Sequence, residues 1–261
     1  VNKKFIGAIV ILVLVLLPIS YIGYGYTKFD EQIAPKPNAV SYQFVVIKPP
    51  ESTNYVIISA RTFLNLTQSG NWSPPTGSKI YPVTIITGIT GDLGTDMNLT
   101  FRSRYERFTI IMGSTEVKTC STDPSMFPGN CAERAAAVTE ITAMASNIFK
   151  DHFYYEGLSQ GMSESEAKAY AFKETTKRYG KAYLAFFTKA QIGLGTIGNE
   201  KHLAVILLGP AEGSESNRII IPKQGLVVIE GKTDDALRAE IALIEKAINF
   251  SWPENNSTAT G

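Results

Sequence analysis

Residues 202–248 read HLAVILLGPAEGSESNRIIIPKQGLVVIEGKTDDALRAEIALIEKAI, and this stretch decides the fold class. His202–Leu208 is a short apolar run of the kind that forms a buried strand. Gly209 to Ser214 (GPAEGS) is a loop, and Arg218–Ile221 and Leu226–Ile229 are two further strands separated by a Pro/Gly-containing turn. Thr233 or Asp234 then opens a helix that runs to Ile248. Leu237, Ile241, Ile244 and Ile248 fall on one of its faces. A β-β-β-α unit is expected here, followed from Ser251 by a polar tail.

Upstream of this unit the pattern is helical. Asn130 and Glu133 have the spacing of a reciprocal helix cap, and Val138, Ile141, Ala145, Ile148 and His152 follow as one apolar stripe. Ser163 and Glu166 form a second capping pair, opening a helix that should stop near Gly180. Tyr183–Gln191 reads as a third helical piece. Residues 39–119 look β-rich instead. Candidate strands are Ser41–Ile47, Tyr55–Arg61, Tyr81–Ile86, Leu99–Tyr105 and Phe108–Met112, separated by Pro, Gly, Asn and Ser clusters. Residues 27–38, with Pro35 and Pro37, read as a linker. The expected architecture is therefore α+β: an N-terminal transmembrane helix, an antiparallel β-rich region, central helices and the C-terminal β-β-β-α unit. The sheet should run through much of the part after the anchor, with helices on one side.

The N-terminal run Phe5–Ile22 (FIGAIVILVLVLLPISYI) holds eighteen residues without a charge. That is the length needed to cross a hydrocarbon core. Lys3 and Lys4 precede it and Tyr21, Tyr24 and Tyr26 follow, which favours an inside N-terminus and an exported remainder. A cleaved signal peptide is the competing reading, with Gly23 and Gly25 as small residues near the cut. A pilin-like filament subunit is a third, but no Gly-based processing pattern precedes the run and no early Glu lies in it. Two other features suit an exported chain. Asn-x-Ser/Thr sequons occur at six positions, Asn65, Asn71, Asn98, Asn249, Asn255 and Asn256, where about two would arise by chance. The two cysteines, Cys120 and Cys131, flank a turn-rich segment and are expected to pair outside the cell.

Composition excludes some functions. The formal net charge is +1 and there are two histidines in 261 residues, so no basic surplus marks a nucleic-acid partner and no multi-histidine metal site can form. Several motifs invite chemistry. Gly193-Leu194-Gly195-Thr196-Ile197-Gly198 spells a dinucleotide fingerprint, but it follows a helical pattern and precedes a strand, the reverse of what phosphate binding at a helix N-terminus requires. A connector is the better reading, and no cofactor is expected. The Gly209–Ser214 loop has no Lys-Ser or Lys-Thr to complete a phosphate loop. His152 and Glu156 are the best acid/base candidates, with His202 behind them, although a half-buried histidine is the default for a residue on an apolar stripe. Asp92 and Asp96 are the best metal candidates, but their spacing does not fit a helix-flanked calcium loop. Arg102 and Arg104 alternate with aromatics as on the wet face of a strand.

Several features of residues 202–248 resemble the C-terminal part of archaeal S-layer and related cell-surface glycoproteins. These are Leu207-Leu208-Gly209-Pro210, Asn217, Val227-Val228-Ile229-Glu230-Gly231 and Thr233-Asp234-Asp235-Ala236. The doubled Gly that usually precedes the Pro is absent, and the anchor lies at the other end of the chain from many such proteins. The resemblance implies an envelope protein. Together these readings lead to the expectation of a membrane-anchored extracytoplasmic glycoprotein with a structural, adhesive or binding role. Its partners would be membrane lipid through residues 5–22 and other envelope proteins or itself. An exported hydrolase, with at least one of His152, Glu156 or His202 in a deep pocket, is the rival. Mapping of unreduced peptides is expected to link Cys120 to Cys131, a bridge worth about 3 kcal/mol for a loop of this length; free alkylation of both thiols without reductant would refute it.

Overall fold

The computed structural model describes residues 3–103, 105–112, 130–179, 183–195 and 197–249, with side chains from Pro18 onward except those of residues 130, 131, 178, 179, 183–186 and 249. The chain is a mixed α+β structure. In order it forms α1 (Lys3–Ile33), β1 (Val40–Lys48), β2 (Val56–Ser59), α2 (Ala60–Gln68), β3 (Lys79–Thr87), α3 (Leu93–Phe101) and β4 (Arg107–Met112). There follow α4 (Asn130–Ser159), α5 (Glu164–Tyr179), β5 (Tyr183–Phe186), α6 (Lys189–Gly193), β6 (His202–Leu208), β7 (Arg218–Lys223), β8 (Leu226–Glu230) and α7 (Asp234–Asn249). The strands make one sheet in the order β2-β1-β3-β7-β8-β6-β4-β5.

The sheet has two halves. β1 pairs antiparallel with β2 and β3, with Phe44 opposite Ser59 and Val40 opposite Thr87. β8, β6, β4 and β5 all run parallel, with Ala204 beside Leu226, Arg107 beside His202 and Thr109 beside Tyr183. β7 joins the halves, parallel to β3 and antiparallel to β8. The central strands are apolar at nearly every position because both faces are covered. On one face Leu203, Val205, Leu207, Val227, Ile229, Val83 and Ile85 pack in one core with residues of α3, α4 and α7. On the other, Ala204, Ile206, Leu208, Val228 and Ile220 pack with Phe29, Ile33 and Ile192 of α1 and α6. Helices therefore lie on both sides of the sheet.

Several expectations are corrected. Leu99–Tyr105 is not a strand: α3 occupies Leu93–Phe101, because the Asp92 carboxylate caps it, accepting the Thr95 amide at 2.7 Å. Leu93, Met97 and Phe101 recur every four residues on its buried face, a period hidden by the alternating residues that follow. The Tyr55–Arg61 strand stops at Ser59, whose hydroxyl accepts the Thr62 amide and starts α2. Tyr183–Gln191 is strand β5 followed by α6, which Thr188 and Gln191 cap reciprocally. β4 belongs to the parallel half, so residues 39–119 are not an antiparallel unit. Residues 27–33 are not linker: α1 continues to Ile33, and Phe29 and Ile33 are core residues. On α4 the buried stripe runs Ala137, Ile141, Met144, Ala145, Phe149 and Phe153, leaving His152 half-buried beside it.

One core residue breaks the pattern. Glu240 on α7 is completely buried, and neither carboxylate oxygen has a hydrogen-bond partner among the described residues. At 100° per residue it sits between Ile244 and Ala247, both buried, and away from exposed Glu245. Burial, with a smaller push from the charge of Glu230, raises its pKa well above the ordinary carboxylate value. The folded chain thus holds a proton that the unfolded chain releases. Stability falls as pH climbs from the ordinary carboxylate range through the folded pKa. Glu240→Met is expected to stabilise the protein by about 1–3 kcal/mol, the cost of an unsatisfied buried polar group. The gain should be larger at pH 8 than at pH 5 in denaturant melts; a gain that does not vary with pH would refute the protonation argument.

Candidate functional site

In an open sheet with parallel strands, ligands bind outside the carboxyl ends of strands whose connections leave in opposite directions. Here that point lies between β4 and β6. The chain leaving β4 goes by α4 and α5 to β5 at the sheet edge, and the chain leaving β6 goes the other way to β7. A buried ion cluster sits at this point. Arg134, in the first turn of α4, donates from Nε to Asp234 Oδ1 at 2.8 Å and from its terminal nitrogens to Glu212 Oε2 at 3.4 Å. All three side chains are at most 6% exposed. The Gly209 amide also donates to Glu212 Oε2, at 2.8 Å. The anion held by the Gly209–Ser214 loop is thus the loop's own glutamate. Gly209 is required sterically, because a Cβ there would strike the Arg134 guanidinium.

The cluster ties the loop after β6 to the starts of α4 and α7. Among the described residues Glu212 Oε1 is buried without a partner. Arg134 is the residue that sequence reasoning misses. Its signal is an arginine in phase with Ala137 and Ile141 on the buried stripe of an apolar helix.

A second polar group lies on the same edge. A cavity of about 640 Å³ is lined by Lys79, Ile80, Tyr81, Glu133, Thr233, Asp234 and Asp235. Lys79 is ion-paired with Asp235, and the Tyr81 hydroxyl donates to Asp235 at 3.4 Å. Burial pushes the Asp235 carboxyl up, but the Lys79 ammonium, with Lys48 and the Tyr81 hydroxyl, outweighs it and holds the pKa below the usual value. Burial and then the Asp235 charge push the Tyr81 hydroxyl up, so it stays a donor. Arg238 bridges Glu133 at 2.6 Å and Glu140 at 2.5 Å. Each of these cations and anions already has an opposite partner.

The candidates read from sequence are dispersed. His202 opens β6 and is bonded through Nε2 to Thr109 Oγ1 at 2.7 Å; burial, with Arg107, lowers its pKa. His152 stacks edge-on against Phe153, and Glu156 one turn later accepts from Gln160 at 3.4 Å. None of the three lines the 640 Å³ cavity. Asp92 is the cap of α3. Asp96 is fully buried, accepting from the Thr87 hydroxyl and from Thr90 N–H at 2.8 Å and Gly91 N–H at 3.2 Å, so it organises the turn after β3. Among the described residues no group of three His, Cys, Asp or Glu could hold a metal ion. Arg102 donates to the Ile248 carbonyl at 2.7 Å. Asn65, Asn71 and Asn98 are exposed. Arg104, Cys120, the Cys131 side chain, the Asn249 side chain, Asn255 and Asn256 lie outside the described residues.

The glycine fingerprint has a different use. Gly193 closes α6 where α1 crosses it: a Cβ on Gly193 would strike the Gly25 carbonyl and the Phe29 amide, and one on Gly25 would strike Ala190. Gln32 then donates from Nε2 to the Gly193 and Gly195 carbonyls, each at 3.1 Å. Gly198 has a φ of +68° and abuts the Gly225 carbonyl in the β7–β8 turn. Gly195 has neither restriction, with its nearest neighbour 3.6 Å from a Cβ position. Gly193→Ala and Gly198→Ala are therefore expected to cost at least about 1–3 kcal/mol through overpacking and strain. Gly195→Ala should stay within about 0.5 kcal/mol. Nicotinamide and flavin dinucleotides should leave the melting temperature unchanged. A saturable dinucleotide shift lost on Gly195→Ala would reverse this reading.

No family model matches the sequence, and no curated protein or solved structure is detectably similar to it.

Proposed function

We propose that this chain is a membrane-anchored extracytoplasmic glycoprotein with a structural, adhesive or binding role in a cell or virion envelope. The observation that carries the reading is the division of α1. Phe29 and Ile33 near its C-terminal end are 1% and 7% exposed, whereas Ile19, Tyr21, Ile22 and Tyr24 are 59%, 62%, 51% and 56% exposed. Water is a poor environment for such a contiguous set, and it continues directly from the uncharged run that begins at Phe5. Among the described residues no helix is long and apolar enough to cross a membrane; the side chains of residues 3–17, most of the run, lie outside them. Gly25 is buried against Ala190 within an unbroken helix, a poor setting for a peptidase that needs extended chain, which supports retention over cleavage. The exposed sequons at Asn65, Asn71 and Asn98 and the ion pairing of Arg134, Lys79 and Arg238 within the chain support an envelope role over catalysis.

The protruding helix also suits a filament subunit, in which copies of the apolar run pack on one another. Expression in a cell that exports and glycosylates the protein separates these readings. An anchored glycoprotein should resist alkaline carbonate extraction, shift in mass on deglycosylation and be cut by external protease in intact cells, sparing the segment before Tyr24. Release into the carbonate supernatant would remove the membrane reading, and sedimenting detergent-free filaments would establish the other.

A further inference from the structure

We infer that the carboxyl edge of the parallel strands lies against the membrane, held there by α1 as a rigid strut; this rests on the anchor reading. The argument begins with the direction of α1. Gly25 abuts Ala190, the backbone from Gly25 to Phe29 abuts Gly193, and Gln32 bonds the Gly193 and Gly195 carbonyls. Advancing along α1 therefore means advancing along α6, so the two helices run side by side in the same direction. α6 leads from the carboxyl end of β5 back to the amino end of β6, which is parallel to β4 and hence to β5. α1 must then descend from the carboxyl edge of the sheet toward its amino edge. Its other end, carrying Ile19 to Tyr24, leaves the domain at the carboxyl edge.

The offset from the bilayer is small. α1 is one helix from Lys3 to Ile33, with Pro18 inside it. At 1.5 Å per residue Ile22, the last residue of the apolar run, stands roughly 4.5 Å beyond Gly25. Phe187 precedes Ala190 by the same number of residues, on the same side, and its ring is 42% exposed. Its amide donates to the Met112 carbonyl at 3.0 Å, which fixes it at the ends of β4 and β5. Tyr21, Tyr24, Tyr26 and Phe187 thus form an aromatic rim where the helix leaves the domain, the residue type that sits at the headgroup level. The occupant of this rim is the lipid headgroup layer. The ion pairs of Arg134, Lys79 and Arg238 lie on the same edge, and a pocket of about 470 Å³ between Phe29, Asp30, Lys189 and Ser214 opens beside the emerging helix.

The test uses the full chain in nanodiscs with a nitroxide on the lipid headgroup, a quencher of short range. A fluorescent non-natural amino acid replaces Phe187 in one protein and Lys201 in another. Lys201 precedes β6 at the opposite edge, and its side chain makes an exposed pair with Glu106. Seven residues of β6 separate the edges by roughly 20 Å. Severalfold stronger quenching at position 187 than at position 201 supports the seating. Equal quenching, or more at position 201, overturns it while leaving the anchor reading intact. Failure of the protein to float with liposomes overturns both. A flexible Gly-Ser segment inserted between Gly23 and Tyr24 should keep flotation and abolish the difference; a difference that survives the insertion overturns the strut.

Discussion

The constraint on which the structure depends is the two-sided burial of the sheet. β6, β7 and β8 carry apolar residues at successive positions, so period-two alternation sends half to each face and both faces must be covered. One face has ample cover from α3, α4 and α7. The other has α1 and the five residues of α6. Phe29 and Ile33 are therefore core residues in the same sense as Val205 or Ile229. The hydrophobic segment that looks separable in the sequence is joined without a break to a helix the domain needs in order to fold.

Close approach follows from that constraint. Among the described residues α6 and α1 touch backbone to backbone on the second face, an approach that glycine at 25 and 193 allows. The same economy operates at the carboxyl edge, where the missing side chain of Gly209 makes room for the Arg134 guanidinium. Arg134 joins three segments distant in sequence, the start of α4, the loop after β6 and the start of α7. Removing one member of a buried ion cluster leaves the rest uncompensated, at a typical cost of about 3–5 kcal/mol. At the edge where related topologies hold ligands, Arg134 is paired with the chain's own Asp234 and Glu212.

The C-terminal third was the most legible part of the sequence. Its strands are apolar throughout, and Leu237, Ile241 and Ile244 mark the helix by period alone. What was hidden depended on contacts between distant segments. The aromatic and charged alternation of residues 101–106 imitates a strand because the four-residue period of Leu93, Met97 and Phe101 needs the cap at Asp92 to be recognised. Tyr183–Phe186 forms an edge strand because β4 offers hydrogen bonds, a tertiary reason that local propensity does not carry. The fingerprint glycines were recognised as a connector from their order, but their partner, α1, lies more than 160 residues away. Arg134 was invisible as a site residue because its two carboxylates lie 78 and 100 residues downstream.

Those separations also set the order in which the fold can close. Residues 25–33 lie far upstream of β6, β7 and β8, which are among the strands that bury Phe29 and Ile33. Contacts this distant are slow to form, because the loop entropy is lost before the contact rewards it. In free solution an apolar helix waiting for its sheet exposes surface that promotes association. On the anchor reading proposed above, the same helix would wait within one helical turn of a bilayer, at an interface whose lipid would cover Ile22, Tyr24 and Tyr26, and Phe29 for the interval. On that reading the strut that orients the domain would also shield a core element whose partner strands come late in the chain.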